Sequence, residues 1–179
     1  MLDILKNPKT ENYKKLKEEI LDHELPWFYN PISTTGLKDV DGHSNHPFYS
    51  HIILNRPEVG LKIPQERSSL SELAIKSVTE ILRFNNKDLD FFFTRMSINS
   101  TFPIEGNQFT VPHKDHDFPH TNFICYINDD HGGGGRTFVQ NHLPHSPVED
   151  ECIVFTGKHY MELPKKARRI IIVATLISY

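Results

Sequence analysis

Pro112-His113-Lys114-Asp115-His116, followed shortly by Asn122-Phe123-Ile124-Cys125-Tyr126-Ile127-Asn128, is the stretch from which the rest of this chain is read. The second part is a short apolar run, rich in β-branched and aromatic residues and closed by Asn128-Asp129, which is how a buried strand reads. Working outward, the same character recurs at Phe91 to Asn99, Arg136 to Val139, Cys152 to Phe155 and Arg169 to Ser178, with Pro, Gly and Asn/Asp clusters between. In Phe91 to Asn99 the period of two sets Phe93, Arg95, Ser97 and Asn99 on one face and Thr94, Met96 and Ile98 on the other. Several short strands at such intervals predict a sandwich or a barrel.

The first half reads differently. Thr10 to Asp22 is an amphipathic helix with Tyr13, Leu16 and Ile20 on one face. Leu25-Pro26-Trp27-Phe28-Tyr29 ends it with the only tryptophan, read as an anchor to the body, the alternative being a wall of a substrate pocket. Residues 30 to 66 hold Pro31, Gly36, Gly42, Pro47, Pro57, Gly60 and Pro64 and read as loops with short strands such as Phe48 to Leu54. Ser69 and Glu72 are spaced as a capping box for a second helix that carries Leu70, Leu73, Val78 and Ile81 and stops at Asn85-Asn86. Without repeat or linker, the expectation is one domain over 1–179: helical support over about 1–88 and a metal-binding core over about 89–179.

The chemistry is concentrated in that second half. If the segment is extended, His113 and Asp115 point the same way, toward one ion. His159 follows the turn Thr156-Gly157-Lys158 and supplies a second imidazole from a distant strand. Two imidazoles and one carboxylate on one face of an iron leave coordination positions open, the pattern of non-haem Fe(II) oxygenases. A guanidinium grips a carboxylate through two parallel hydrogen bonds and stays charged at any working pH. Arg168 and Arg169 head the last apolar strand and point to opposite faces, so one of them enters the pocket, where it would clamp an oxo-acid cosubstrate. His116, Asp117 and His120 are either partners of the metal ligands, residues of the pocket lip, or plain surface. Gly132 to Gly135 reads as a flexible strand connection, since no Lys-Ser pair or helix follows it. Lys165-Lys166 is a solvated turn.

Pro112 to Asp115, the Tyr126-Ile127-Asn128 strand end, Gly132 to Gly135, His159 and Arg168-Arg169 occur in an order that resembles the 2-oxoglutarate/Fe(II)-dependent dioxygenase superfamily. The likeness is greatest to its small phage and marine-microbial members and more distant to prolyl hydroxylases. It covers residues 90 to 179 well. It implies a double-stranded β-helix, a cupin-like jelly roll with flanking N-terminal helices, and Fe(II) held by His113, Asp115 and His159. The arginine that binds the far carboxylate of 2-oxoglutarate maps onto Arg169, with Arg168 as the alternative. Tyr126 resembles a tyrosine that donates to that carboxylate, and otherwise it is a core aromatic. Asn99 is a further candidate contact. Arg136 stands where many members carry a glutamate. The implied activity is hydroxylation of a peptidyl side chain or small metabolite with O2, releasing succinate and CO2. Two other readings remain: a jelly-roll metal-binding module and a non-oxidative Zn/Mn cupin-type enzyme.

Composition narrows the remaining classes. A formal charge of −3 leaves no basic footprint, so nucleic acid is not an expected partner. No apolar stretch approaches the roughly 18 residues of a membrane span. Met1 to Ile20 is rich in lysine and glutamate, unlike a secretory signal, and Cys125 and Cys152 lie inside apolar runs, so a cytoplasmic protein with reduced thiols is expected. Of 11 histidines, seven lie between His113 and His159; richness alone says little, and spacing decides among them.

Overall fold

The apolar run at the end of the chain becomes the middle of a sheet. In chain order the computed structural model contains β1 (Leu2–Leu5), α1 (Glu11–Leu21), β2 (Phe28–Asn30), β3 (His43–Ser44), β4 (Phe48–Leu54), α2 (Ser71–Phe84) and β5 (Phe91–Thr101). These are followed by β6 (Phe109–Thr110), β7 (Thr121–Tyr126), β8 (Thr137–Val139), β9 (Cys152–Phe155), β10 (His159–Met161) and β11 (Arg169–Ser178). The structure describes residues 1–34, 37–40, 42–56, 64–87, 90–105, 108–129 and 133–178; Gly36, Pro57, Gly60 and Gly132 lie outside them.

Seven strands form an antiparallel sheet in the order β1-β9-β7-β11-β5-β4-β2. β11 reads as almost continuously apolar because both of its faces are covered. Ile170, Ile172, Ala174 and Leu176 join Phe123, Cys125, Met96 and Ile98 in the core beneath the helices. Ile171 and Val173 join Ile124, Tyr126, Val139, Ile153 and Phe155 on the opposite side. There a second layer is built from the β8–β10 pair and the parallel β3–β6 pair, linked by bridges Phe109↔Glu162 and His113↔His159. The result is a mainly β jelly roll with two helices outside the large sheet.

The helices follow from their apolar stripes. α1 buries Tyr13, Leu16 and Ile20, and the Thr10 hydroxyl caps it by accepting from the Tyr13 amide at 3.3 Å. α2 buries Ala74, Val78, Ile81 and Leu82. The expected Ser69–Glu72 capping box is not formed: α2 begins at Ser71, and the Ser68 hydroxyl accepts from the Leu70 amide while Ser71 donates to the Ser68 carbonyl. Glu72 instead pairs with Lys76 on the exposed face at 2.6 Å. Asn12 Nδ2 donates to Glu80 at 2.6 Å and ties α1 to α2.

Four further readings change. A boundary near residue 88 does not divide support from core, because β1, β2 and β4 are strands of the main sheet; β1 is too short and half-exposed to announce itself in sequence. Phe93 lies with Met96 and Ile98, not with Arg95, because a register shift opposite Thr175/Leu176 inserts Thr94 as an extra residue and turns the strand over. The glycine turn is a close-packed crossing and not a slack connection: a Cβ on Gly134 would lie 2.5 Å from the Leu163 carbonyl oxygen. Leu25 and Trp27 pack on the main core, whereas Phe28 and Tyr29 are 61% and 60% exposed, so only half of that aromatic cluster anchors. Cys125 and Cys152 face each other across β7–β9 as buried free thiols. Among the described residues no helix is long and apolar enough to cross a membrane.

Candidate active site

His113 and His159 meet because their backbones pair. Each donates its amide to the other's carbonyl at 2.9 Å, which sets the two rings 4.6 Å apart on facing strands. Gly157, at φ +99, makes the turn that delivers His159 to that position. Asp115, two residues beyond His113, shares its direction, and one nitrogen or oxygen from each of His113, Asp115 and His159 lies within 4.8 Å of the others. The His113 Nδ1–H donates to the Val111 carbonyl at 2.9 Å and the His159 Nδ1–H reaches the Gly157 carbonyl at 3.4 Å. Both rings therefore turn Nε2 toward the shared point, in the tautomer a metal requires.

Asp115 is held more firmly than sequence spacing suggested. Its Oδ1 accepts from Arg95 at 2.8 Å and from Arg56 at 3.2 Å, while Arg56 also donates to the Asp115 carbonyl at 3.0 Å. Oδ2 stays turned toward His159 Nε2, 3.5 Å away. Burial alone would raise the Asp115 pKa, but Arg95, His159, His113 and Arg56 hold it well below the usual carboxylate range. Burial lowers His159 to about 4 against the opposing pull of Asp115, so the imidazole is neutral at pH 7 with its lone pair available.

These residues line a cavity of about 1030 Å³ that runs from the β4–β5 side to the inner face of β11. Arg169 is at its far end, 5% exposed, donating from Nη2 to the Thr137 hydroxyl at 3.0 Å and lying 5.3 Å above the Tyr126 ring. Its Nε has no hydrogen-bond partner among the described residues. Arg168 is exposed, and its carbonyl accepts from Asn128 Nδ2 while Asn128 Oδ1 accepts from the Ile170 amide. Asn128 thus pins the start of β11 and decides which of the two arginines turns inward. Asn99 lines the cavity. Tyr126 does not: it is fully buried, its hydroxyl bonds Thr137 Oγ1 at 2.7 Å, and its ring stacks on His145. The direct contact between Tyr126 and a cavity ligand expected from sequence is not open to this buried side chain, whose hydroxyl reaches Thr137; Thr137 and Arg169 line the cavity.

Other expected residues lie elsewhere. His116 Nε2 meets the Thr175 hydroxyl at 2.9 Å and stacks on Phe118, and His120 packs edge-on against it; neither lines the cavity. Asp117 is on the rim. Arg136 pairs with Glu162 at 2.6 Å and lies over Phe138, outside the cavity. Sequence reading missed Arg56, His46 and Thr137. Arg95 could have been found, because it falls on the same side as Asn99; Arg56 and His46 sit in aperiodic loops and carried no signal.

No family model and no curated protein matches this chain. Solved structures do. An oxidoreductase of the 2OG-Fe(II) oxygenase family from Burkholderia pseudomallei is 17% identical, with 98% of this chain and 84% of that one covered at a TM-score of 0.70. A prolyl hydroxylase from Trichoplax adhaerens, solved with a hypoxia inducible factor peptide fragment, is 13% identical over 99% and 83%, TM-score 0.62. A Pseudomonas putida prolyl-4-hydroxylase is 16% identical over 99% and 92%, TM-score 0.56. At these identities the likeness is one of fold, and nearly the whole chain shares it.

Proposed function

We propose that this chain is an Fe(II)- and 2-oxoglutarate-dependent oxygenase that hydroxylates a peptidyl side chain or a small metabolite. The observation that carries the reading is the joint geometry of one cavity: a His113–Asp115–His159 donor set at one part and the buried Arg169 guanidinium at another. The residues fit the metal. Two imidazoles presenting Nε2 and one ionised carboxylate make a three-ligand face with the remaining positions open. Fe(II) bound there, with 2-oxoglutarate and O2, supplies oxidative decarboxylation: the substrate C–H becomes C–OH, and succinate and CO2 leave.

The protein's own part is positioning and charge. Arg95 and Arg56 occupy Asp115 Oδ1, so that only Oδ2 is presented to the ion. The Val111 carbonyl fixes the His113 ring. Arg169 pairs with the far carboxylate of the cosubstrate, and the Thr137 hydroxyl, already accepting from Arg169, keeps its own proton for the same carboxylate when Tyr126 donates to it. The inner walls from Ile124, Ile171 and Val173 exclude water around the chain of the oxo acid. A peptide substrate draws support from the Trichoplax neighbour and from the open side of the cavity near Asn30, Ile32 and Phe48.

A test separates this reading from a zinc or manganese enzyme and from a metal-binding module. Under anaerobic conditions, Fe(II) plus 2-oxoglutarate gives a weak visible charge-transfer band, which zinc cannot give. Absence of that band with stoichiometric Fe(II) bound sinks the proposal. Screening compounds for stimulated succinate release then identifies the substrate.

A further inference from the structure

Beside Arg169, a second buried nitrogen faces the same end of the cavity without a protein partner among the described residues. His46 is 3% exposed, lines the cavity, and its Nδ1 has no hydrogen-bond partner among the described residues. A buried polar atom left unpaired lowers stability, so such atoms are uncommon in a folded chain and call for a reason. Here two of them, His46 Nδ1 and Arg169 Nε, belong to side chains that sense one another electrostatically and share one cavity end.

The placement of His46 is not slack. Its neighbour Asn45 is bound on three sides: its amide donates to Asp39 Oδ1 at 2.7 Å, its Nδ2 to the Leu37 carbonyl, and its Oδ1 accepts from the Thr34 amide. Pro47 follows, and β4 starts at Phe48. A backbone this constrained could have turned an apolar side chain inward at no cost in hydrogen bonding. It presents an imidazole instead.

We infer that His46 is a cosubstrate-binding residue: together with Arg169 and Thr137 it closes the subsite for the far carboxylate, donating an N–H to the oxygen that Arg169 does not take. The inference rests on the function proposed above and adds to it a residue from the loop between β3 and β4. Chemistry favours a histidine there. A carboxylate offers about four lone-pair sites, more than one guanidinium edge and one hydroxyl fill. Burial, with Arg169 and His113 nearby, lowers the His46 pKa to about 4, so the ring supplies a donor without a second full charge. The consequence is selectivity. An oxo acid ending in a carboxylate satisfies both unpaired donors, whereas one ending in a methyl group leaves them unpaired.

The experiment uses the Mn(II)-loaded protein, which holds the metal without turnover, and two probes, 2-oxoglutarate and 2-oxovalerate, titrated by calorimetry. The second keeps the oxo-acid head and the chain length but ends in methyl. His46→Phe is expected to weaken 2-oxoglutarate binding at least tenfold and to leave 2-oxovalerate unchanged. Without ligand, its melting temperature should equal or exceed that of the wild type, because an unpaired buried atom has been removed. His46→Asn, which returns an N–H near the Nδ1 position, should recover part of the affinity, and it gives the same comparison should the Phe variant not fold. Equal loss for both probes, or a melting temperature lowered by several degrees, assigns His46 a structural role and overturns the inference. If Arg169→Gln abolishes 2-oxoglutarate binding while His46→Phe keeps it, the inference alone fails. If neither substitution matters, the proposed function fails with it.

Discussion

Asp115→Ala removes the residue on which the proposed metal site and the folding energy both converge. From sequence it reads as a ligand whose loss empties the iron site and leaves the fold intact. The structure predicts more. Arg95 and Arg56 both donate to its Oδ1, at 2.8 and 3.2 Å, and the Asp115 side chain is 5% exposed. Truncating one partner of a buried ion pair leaves the other charge uncompensated, which typically costs about 3–5 kcal/mol. Arg56 is half-exposed and regains water readily, so most of the cost comes from Arg95, and the low end, about 3 kcal/mol, is the expected figure. For a chain of this size 1 kcal/mol moves the melting temperature by about 2–4 °C, so the drop should be about 6–12 °C. The assay is thermal and urea unfolding of chelator-treated protein, where no ligand contribution enters. Replacing Arg95 by Met in the Asp115→Ala background should recover most of the loss, because the stranded charge goes with it. A metal-free Asp115→Ala protein that melts with the wild type would refute the argument that this carboxylate neutralises buried arginine.

The other predictions concern the anion end and pH. Arg169→Gln should weaken 2-oxoglutarate binding about a hundredfold or more, from roughly 3–5 kcal/mol at about 1.4 kcal/mol per decade, while Arg168→Gln, at an exposed position, leaves the titration curve unchanged. Gly135→Ala should also weaken 2-oxoglutarate binding but spare metal retention: its Cβ would lie 3.1 Å from Arg169 Cδ, at φ +71. Tyr126→Phe is now expected to act only through Thr137, lowering affinity by about fivefold, near 1 kcal/mol; a loss of a hundredfold would show that the hydroxyl touches the ligand. His46, facing Arg169 and His113, has its pKa lowered to about 4 in the fold against about 6.5 unfolded. Below pH 6.5 the unfolded chain takes up a proton at His46 that the folded one refuses, so this residue alone makes stability fall by about 1.4 kcal/mol per pH unit down to about pH 4, and His116 and His159, also lowered to about 4, add to the fall. Urea midpoints of metal-free protein at pH 7 and pH 5 measure the sum, and His46→Phe should reduce the slope by its own share.

What was legible in the sequence is what periodicity encodes. β4, β9 and β11 begin and end where the apolar runs do, since each is paired on both sides or closely bounded by turns. The spacing of His113 and Asp115 predicted their shared direction, because alternation in an extended segment is local geometry. Legibility stopped wherever a tertiary partner overrode the local pattern. Thr94 looped out as an extra residue and carried Phe93 to the other face. Ser68, not Ser69, stabilised the start of α2, because its hydroxyl is also met by His51 from β4. Arg56 comes from an aperiodic loop, and nothing in its neighbours announces that it will reach Asp115. Tyr126 was read as a ligand contact from its strand position; the side chain does point inward, but Thr137 from β8 meets its hydroxyl first.

The two ends of the cavity are built on opposite principles. At the proposed metal end each of the three candidate ligands has a protein partner on the atom turned away from the shared point: the Val111 and Gly157 carbonyls for the imidazoles, two arginines for the carboxylate. Geometry there is set before any ligand arrives, which suits an ion that tolerates little error in donor position. At the anion end, His46 Nδ1 and Arg169 Nε have no partner among the described residues, although both are buried. A fully paired arginine would have to give up a carboxylate to bind one, and the exchange would gain little. Among the described residues this arginine meets neutral groups, the Thr137 hydroxyl and the Tyr126 side chain, and so keeps its attraction for the incoming charge. The folded chain is less stable for holding that charge unpaired, and binding returns the difference. Metal affinity and oxo-acid affinity should therefore respond to different substitutions: losses at Asp115 should destabilise the chain, and losses at Arg169 or His46 should not.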